Sequence, residues 1–247
     1  MTGTDLTVVI PSRGRPGSVE RMATAFAETG ADELAVYWAI ESDDPALPDY
    51  RKAVAEWFAY GDVVPVSGAT MTSAINAAST HAVADLDPYG VAVLNDDHLP
   101  RTVGWHTSML DALLRLDPIG LVYPNDGFRG EGLATVWAVH GAWVKAIGRM
   151  IPARVDHLYA DDAMMDLARI VGNRVEYLPE VLIEHMHPLA GKAETDDGYQ
   201  RVNGRDKLRA DRAVFKMWQG SRKRTEQRAA LAMVIASSLP PAGGDHG

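Results

Sequence analysis

Three polar clusters in this chain have the residue types and spacing to do chemistry. The first is Asn95-Asp96-Asp97-His98, which follows directly on residues 90–94, all small or apolar. A short apolar run bounded by turn signals predicts a fully buried strand, parallel to its neighbours. Oxygen-bearing side chains crowded at a strand's carboxyl end repel one another unless a positive charge sits among them. In open α/β sheets ligands bind at that edge, and a divalent cation, Mn2+ or Mg2+, with nucleotide phosphates completing its shell answers the charge. The alternative is that residues 95–98 simply cap a helix beginning near Thr102. The second cluster is Asp161-Asp162, at the start of a helical pattern. Adjacent carboxylates repel, and burial raises one pKa toward a range useful for a general base. The same pair could instead cap the helix and meet its dipole. The third is His185-Met186-His187 on an extended segment, where alternation places both imidazoles on one face.

The elements that must position these groups alternate. Apolar, β-branched runs predict strands over residues 6–10, 34–40, 62–66, 90–94, 119–123 and 133–139, with an extended segment over 174–184. Between them helices are expected from a cap at Ser18 to Gly30, over 50–60, 71–84, 103–116 and 142–147, and from about Asp161 to 170. Two more follow, over 203–218 and 222–236, and a Pro- and Gly-rich tail over 237–247 reads as disordered. The fold class is α/β with a mostly parallel sheet flanked by helices. Residues 1–200 are expected to form one domain that carries these clusters, with a basic helical extension over 201–236 packed on it.

This order repeats polar clusters at one sheet edge. Pro11, Ser12, Arg13 and Arg15 follow the first strand, Glu41, Asp43 and Asp44 the second, Gly68 and then Asn76 the third, and Asn95 to His98 the fourth. Arginines suit diphosphate oxygens, carboxylates suit ribose hydroxyls or base N–H groups, and Gly68 lets backbone approach a ligand. His98, Trp105 and His106 either shape this site or serve packing. The loop over 125–131 is a candidate acceptor or lid loop, because its glycines permit motion.

At 247 residues, 47% hydrophobic and 23% charged, the composition is that of one soluble domain. With no cysteine there is neither a disulfide framework nor thiolate chemistry. No stretch reaches the length of a membrane span and the N-terminus lacks a signal-peptide pattern, so a cytoplasmic protein is expected. The net charge of -9 is uneven: residues 201–228 hold ten Lys or Arg against Asp206, Asp211 and Glu226. That asymmetry marks either a solvated helical face or a site for an anionic partner.

Taken in order, VVIPSRGRP near the start, the strand ending in Asn95 to His98, the Asp161-Asp162 pair and the late His185-Met186-His187 resemble the GT-A fold glycosyltransferases, nearest the family 2 type and its small phage-encoded relatives. The resemblance implies a metal-dependent hexosyl- or pentosyltransferase using a nucleotide-sugar, with a UDP-sugar the first expectation. It gives Pro11, Ser12, Arg13 and Arg15 to the donor nucleotide, and Glu41 with Asp43 or Asp44 to its base or ribose. Asn76 matches a helix lining the nucleotide pocket. Asn95 and Asp97 match the outer positions of the Asp-x-Asp motif, Asp97 being the metal ligand, and Asn95 leaves one fewer charge there. Asp161 and Asp162 match a Glu-Asp pair whose second member is the base in inverting members. His185 or His187 matches a histidine completing the metal shell. Acceptors in keeping with the likeness are a virion protein, an envelope glycan or a hydroxylated base in phage DNA, the last reached through the basic stretch over 201–228. The rival readings are a nucleotidyltransferase and a non-catalytic nucleotide- or DNA-binding module.

Overall fold

The computed structural model describes residues 5–68, 70–187 and 204–239. Eight strands form one sheet: β1 (Leu6–Ser12), β2 (Ala35–Glu41), β3 (Gly61–Val66), β4 (Gly90–Val93), β5 (His98–Pro100), β6 (Leu121–Asn125), β7 (Trp137–His140) and β8 (Val175–His185). Their spatial order is β3-β2-β1-β4-β7-β6-β8-β5. β1 pairs in parallel with β2 and β4, β2 with β3, and β6 with β8; β7 and β5 run antiparallel to their partners. The helices are α1 (Ser18–Glu28), α2 (Leu47–Trp57), α3 (Met71–Leu86), α4 (Trp105–Arg115), α5 (Gly141–Ile147), α6 (Ala160–Ile170), α7 (Arg205–Gln219) and α8 (Arg222–Ser238). None among the described residues is long and apolar enough to cross a membrane.

Period-two alternation in the strands splits the core across the two sheet faces. Leu6, Val8 and Ile10 of β1 and Val36, Trp38 and Ile40 of β2 pack with α1, α2 and α4 through Phe26, Tyr50 and Trp105. Val9, Tyr37 and Ala39 face the other way, against the small side chains Ala74, Ala78 and Ala82 of α3. Such side chains let α3 lie close to the sheet, so the ends of β1, β2 and β4 converge.

Several boundaries depart from expectation for local reasons. Ser18 does not cap α1: Gly17 holds the cap position, and the Ser18 hydroxyl donates to the Arg15 carbonyl at 2.7 Å inside the first turn. α2 begins at Leu47 because Pro48 suits a helix's first turn. The strand expected over 133–139 shortens to β7, since residues 130–132 turn as a 3-10 helix. β5 was not foreseen; the chain leaves the acidic turn at residues 95–97 and pairs His98 with His185 of β8. The reading of residues 95–98 as a helix cap is overturned, because α4 starts seven residues later with Gly104 as its cap. α8 continues through Ser238, into the stretch expected as tail from 237, and residues 240–247 lie outside the described residues, as does the 200/201 domain boundary.

α7 is fastened to the sheet domain through a buried carboxylate. Asp211 accepts the backbone N–H groups of Asp156, His157 and Leu158 at 3.3, 3.0 and 2.8 Å. Trp218 Nε1 donates to Gln227 of α8 at 2.9 Å, and Gln227 donates in turn to the Pro152 carbonyl at 3.2 Å. Trp218 and Leu231 join the core on the α3 side. Replacing Asp211 by Ala strands three N–H donors at a buried junction, which costs about 1–3 kcal/mol. Chemical denaturation should show that loss for Asp211→Ala, and an unchanged midpoint would mean the junction carries no stability.

Candidate active site

The ends of β1, β2 and β4 open into a cavity of about 670 Å³, closed on the far side by the start of α6, the loop after β6 and the first turns of α7. Pro11, Ser12, Arg13, Arg15, Glu41, Asn95, Asp96, Asp97, Asp161, Asp162, His185 and His187 all line it.

On the β1 side the polar groups are knitted together. Ser12 Oγ donates to Asp96 Oδ2 at 2.5 Å and lies 2.6 Å from the Tyr50 hydroxyl. Arg15 donates to Asp96 Oδ1 at 3.0 Å, and its backbone N–H donates to the Tyr50 hydroxyl at 2.8 Å. Burial, then the neighbouring Asp97, pushes the Asp96 carboxyl up to about 6, against the pull of Arg15 and Ser12. Arg13 sits between Glu41 and Asp43, 2.8 Å from the latter, so its guanidinium is committed to carboxylates rather than held open for a diphosphate.

Four residues expected at the donor do not line the cavity. Asp43 is mostly exposed, pairs with Arg13 and does not line the cavity. Asp44 is buried, and its oxygens accept the N–H groups of Gly14 at 2.7 Å and Ala46 at 2.9 Å, fastening two loops. Asn76 accepts the Ile151 N–H at 2.7 Å and donates to the Ile151 carbonyl, tying α3 to a distant loop. Gly68 lies off the cavity, and its φ of +64° accounts for glycine by backbone conformation alone.

The centre of the site is His185, set between two carboxylates. Its Nε2 lies 3.5 Å from Asp97 Oδ2 and its Nδ1 3.8 Å from Asp126 Oδ2. Burial alone would lower the imidazole, but the adjacent carboxylates of Asp126 and Asp97 carry it up to about 9. Burial likewise opposes the Asp97 charge, yet His185, His98 and Arg15 hold this carboxyl well below the usual carboxylate range. Two carboxylates converging on one protonated imidazole is an arrangement that a divalent cation satisfies by displacing the proton.

The donor set passes the test for such an ion. Asp97, His98 and His185 bring ligand atoms within 4.8 Å of one another. Asp97 Oδ1, His98 Nε2 and His185 Nδ1 are buried without a hydrogen-bond partner among the described residues. His98 is different: its Nδ1 accepts the Asn95 N–H at 2.9 Å, so the neutral ring keeps its proton on Nε2. Burial, with the charge of His185, holds the ring down at about 3. His98 therefore braces the acidic turn and packs 4.1 Å, centroid to centroid, from His185, leaving Asp97 and His185 as the pair with ligand capacity. A carboxylate with an imidazole favours Mn2+ over the all-oxygen preference of Mg2+. His187 stacks on Phe128 at 5.1 Å and meets His185 edge-on, outside the three-residue cluster.

Asp161 and Asp162 stand in the first turn of α6, whose cap position is Tyr159 and shows no side-chain cap bond. They do not cap the helix, although its dipole favours their charge. Burial, then repulsion from Asp162, pushes the Asp161 carboxyl up to about 7. Burial also raises Asp162, which Arg169 and Arg129 partly offset.

No protein-family profile matches the chain, and no curated protein matches it in sequence. Solved structures match over nearly its whole length. The mannosyltransferase PcManGT from Pyrobaculum calidifontis, in complex with GDP-Man and Mn2+, superposes with a TM-score of 0.62 at 17% identity, over 97% of this chain and 78% of that one. S. aureus TarS 1-349 in complex with UDP gives 0.59 at 10% identity, over 95% and 71%. Glucosyl-3-phosphoglycerate synthase from Mycobacterium tuberculosis, in complex with phosphoglyceric acid, gives 0.56 at 13% identity, over 86% and 79%. The chain has the GT-A fold.

Within that fold, sequence reasoning missed Asp126. Its Oδ1 accepts the N–H groups of Phe128, Arg129 and Gly130 at 2.9, 2.6 and 2.9 Å, and its Oδ2 accepts the Thr135 hydroxyl at 2.8 Å. The loop over 125–131 is thus pinned from inside by one carboxylate. Gly127 and Gly130 serve its turn, with φ of +66° and +52°. An Asp-Gly turn signal was visible in the sequence, but nothing there pointed the same carboxylate at His185. The wall contributed by Lys207 and Leu208 of α7 was also unforeseen.

Mn2+ titration by calorimetry should show binding that falls at least about 100-fold in Asp97→Ala and His185→Ala and less than about 10-fold in His187→Ala. Equal losses in all three would put His187 in the ligand set. A second outcome concerns pH. Asp161 titrates higher in the fold than in the unfolded chain, so stability falls as pH rises from about 4 to about 7 and stays reduced above that. In chelator, Asp161→Asn should therefore melt above the native chain at pH 8 by a few degrees (about 2–4 °C per kcal/mol) and match it at pH 4. A variant less stable at pH 8 would contradict the raised pKa.

Proposed function

We propose that this chain transfers a glycosyl group from a nucleotide-diphospho-sugar to an acceptor hydroxyl. The observation that carries the reading is one cavity in which the Asp97–His185 pair faces a carboxyl, Asp161, poised near neutrality. The structural neighbours bound to GDP-Man or UDP support this class of donor.

Arg15 and Ser12, held by Asp96, border the diphosphate position, and Glu41 with Arg13 borders the nucleoside. Asp97 and His185 would hold Mn2+, which when bound supplies positive charge against the leaving diphosphate. The acceptor oxygen forms its bond to the anomeric carbon as the bond from that carbon to the diphosphate breaks. Its proton passes to Asp161. Sequence likeness gave the base role to Asp162, but the deeper desolvation of Asp161, and its position facing His185 and Asp126 electrostatically, favour the first carboxylate; Asp162 keeps its partner's pKa high. One displacement inverts the anomeric configuration, so a retained configuration in the product would reject this path.

The test is donor hydrolysis over UDP-, GDP- and TDP-sugars, with Mn2+ and with chelator. Release of a nucleoside diphosphate from one donor is expected, lost in Asp97→Ala. Asp161→Asn should lower kcat about 100-fold or more while leaving the donor KM near its native value. The native rate should rise with pH toward a plateau near or below about 7, because a nearby cation favours the ionised base. Release of pyrophosphate instead would make the chain a nucleotidyltransferase.

A further inference from the structure

We propose that the outer face of α7 docks the phosphodiester backbone of duplex DNA. Arg205, Arg209, Arg212 and Lys216 recur at i, i+4, i+7 and i+11 and are all exposed. They form a cationic stripe roughly 16 Å long, at 1.5 Å per residue. A merely solvated face intersperses charges of both signs, whereas here the only exposed acid on the helix is Asp206, 3.9 Å from Arg209.

This arrangement opposes α7's own stability. Arg205–Arg209 and Arg212–Lys216 are like-charge pairs at helical spacing, and Arg205 and Lys207 stand in the first turn, where the helix dipole disfavours cations. Lys207 is compensated by Asp156 at 2.5 Å. On α8, Arg224 is taken up by Asp166, Arg222 by Glu226 and Arg228 by the Ile170 carbonyl. The basic charge of this part of the chain divides in part accordingly: Arg224 and Arg228 reach across to α6, whereas Arg222 and Lys223 stay exposed on α8 and the α7 stripe faces outward in a protein of net charge -9.

The geometry selects among polyanions. Exposed Leu208 and Met217 project to the flanks, roughly 70° and 110° around the helix from the stripe, so a bilayer meeting the cations would not receive them. Trp218 is buried and Phe215 packs against it, so α7 offers no outward aromatic platform for unpaired bases. A protein partner would need an apolar centre that the stripe lacks. A regular row of phosphates needs only the cations. Lys207 and Leu208, which line the cavity, lie on other faces of α7, so the docking stands apart from the transferase reading.

Fluorescence anisotropy with a labelled 20-base-pair duplex, titrated by the full chain at several salt concentrations, tests this directly. Four phosphate contacts predict a slope of log K against log salt of roughly -3.6. Arg209→Gln/Arg212→Gln should bring the slope to roughly -1.8, while Lys52→Gln on the distant, exposed face of α2 should leave it unchanged. The double variant should melt at or above the native temperature, separating lost binding from lost fold. A flat salt dependence, an equal slope in the double variant, or binding to phosphatidylglycerol vesicles but not to the duplex would overturn the proposal. Donor hydrolysis is read separately, so its failure would leave the docking result standing.

Discussion

The site depends on the convergence of Asp97 and Asp126 upon His185. Neither carboxylate is affordable alone in that place, since desolvation opposes both charges. Each is stabilised by the imidazole between them and by local donors, which for Asp126 are three backbone N–H groups and the Thr135 hydroxyl. The arrangement also couples two distant segments. The His185 N–H donates to the Asp126 carbonyl at 2.9 Å and the Met186 N–H to the Asp97 carbonyl at 2.9 Å, so backbone and side chains lock the same register.

That register explains why β5 exists. The acidic turn after β4 would otherwise leave the sheet, but pairing of His98 with His185 returns it to β8 and brings the two imidazoles into contact at a tilt of 55°. The turn's backbone is braced in turn by the Asn95 N–H to His98 Nδ1 bond. Residues 95–98 are therefore braced from both sides, which fixes where the Asp97 carboxylate points.

The opposite wall is built differently. α6 begins at Tyr159, with a φ of +67° unusual for an aromatic residue. The residues before it are held by Asp211 of α7, and the Tyr159 ring stacks on Phe215 of the same helix at 5.5 Å. The C-terminal helices thereby help set where Asp161 and Asp162 point, which makes them part of the site's architecture and not an appendage.

How much of this was legible follows from the range of the interactions. Alternation in β1 and β2, the small-residue face of α3 and the apolar run before Asn95 are local patterns, and each fixed an element and its buried face through burial alone. Polar clusters at strand ends likewise named Ser12, Arg15, Glu41, Asp96 and Asp97 as neighbours, because parallel strands bring their carboxyl ends to one edge; Asp161 and His185 were joined to them only through the family resemblance. The functions of Asp44 and Asn76 were not legible, since a carboxylate or amide that fastens backbone reads the same as one that faces a ligand. Asp126, β5 and the α7 wall were decided only in three dimensions. Their partners lie tens of residues away in sequence, and a hydrogen bond across that distance leaves no periodicity or spacing to read.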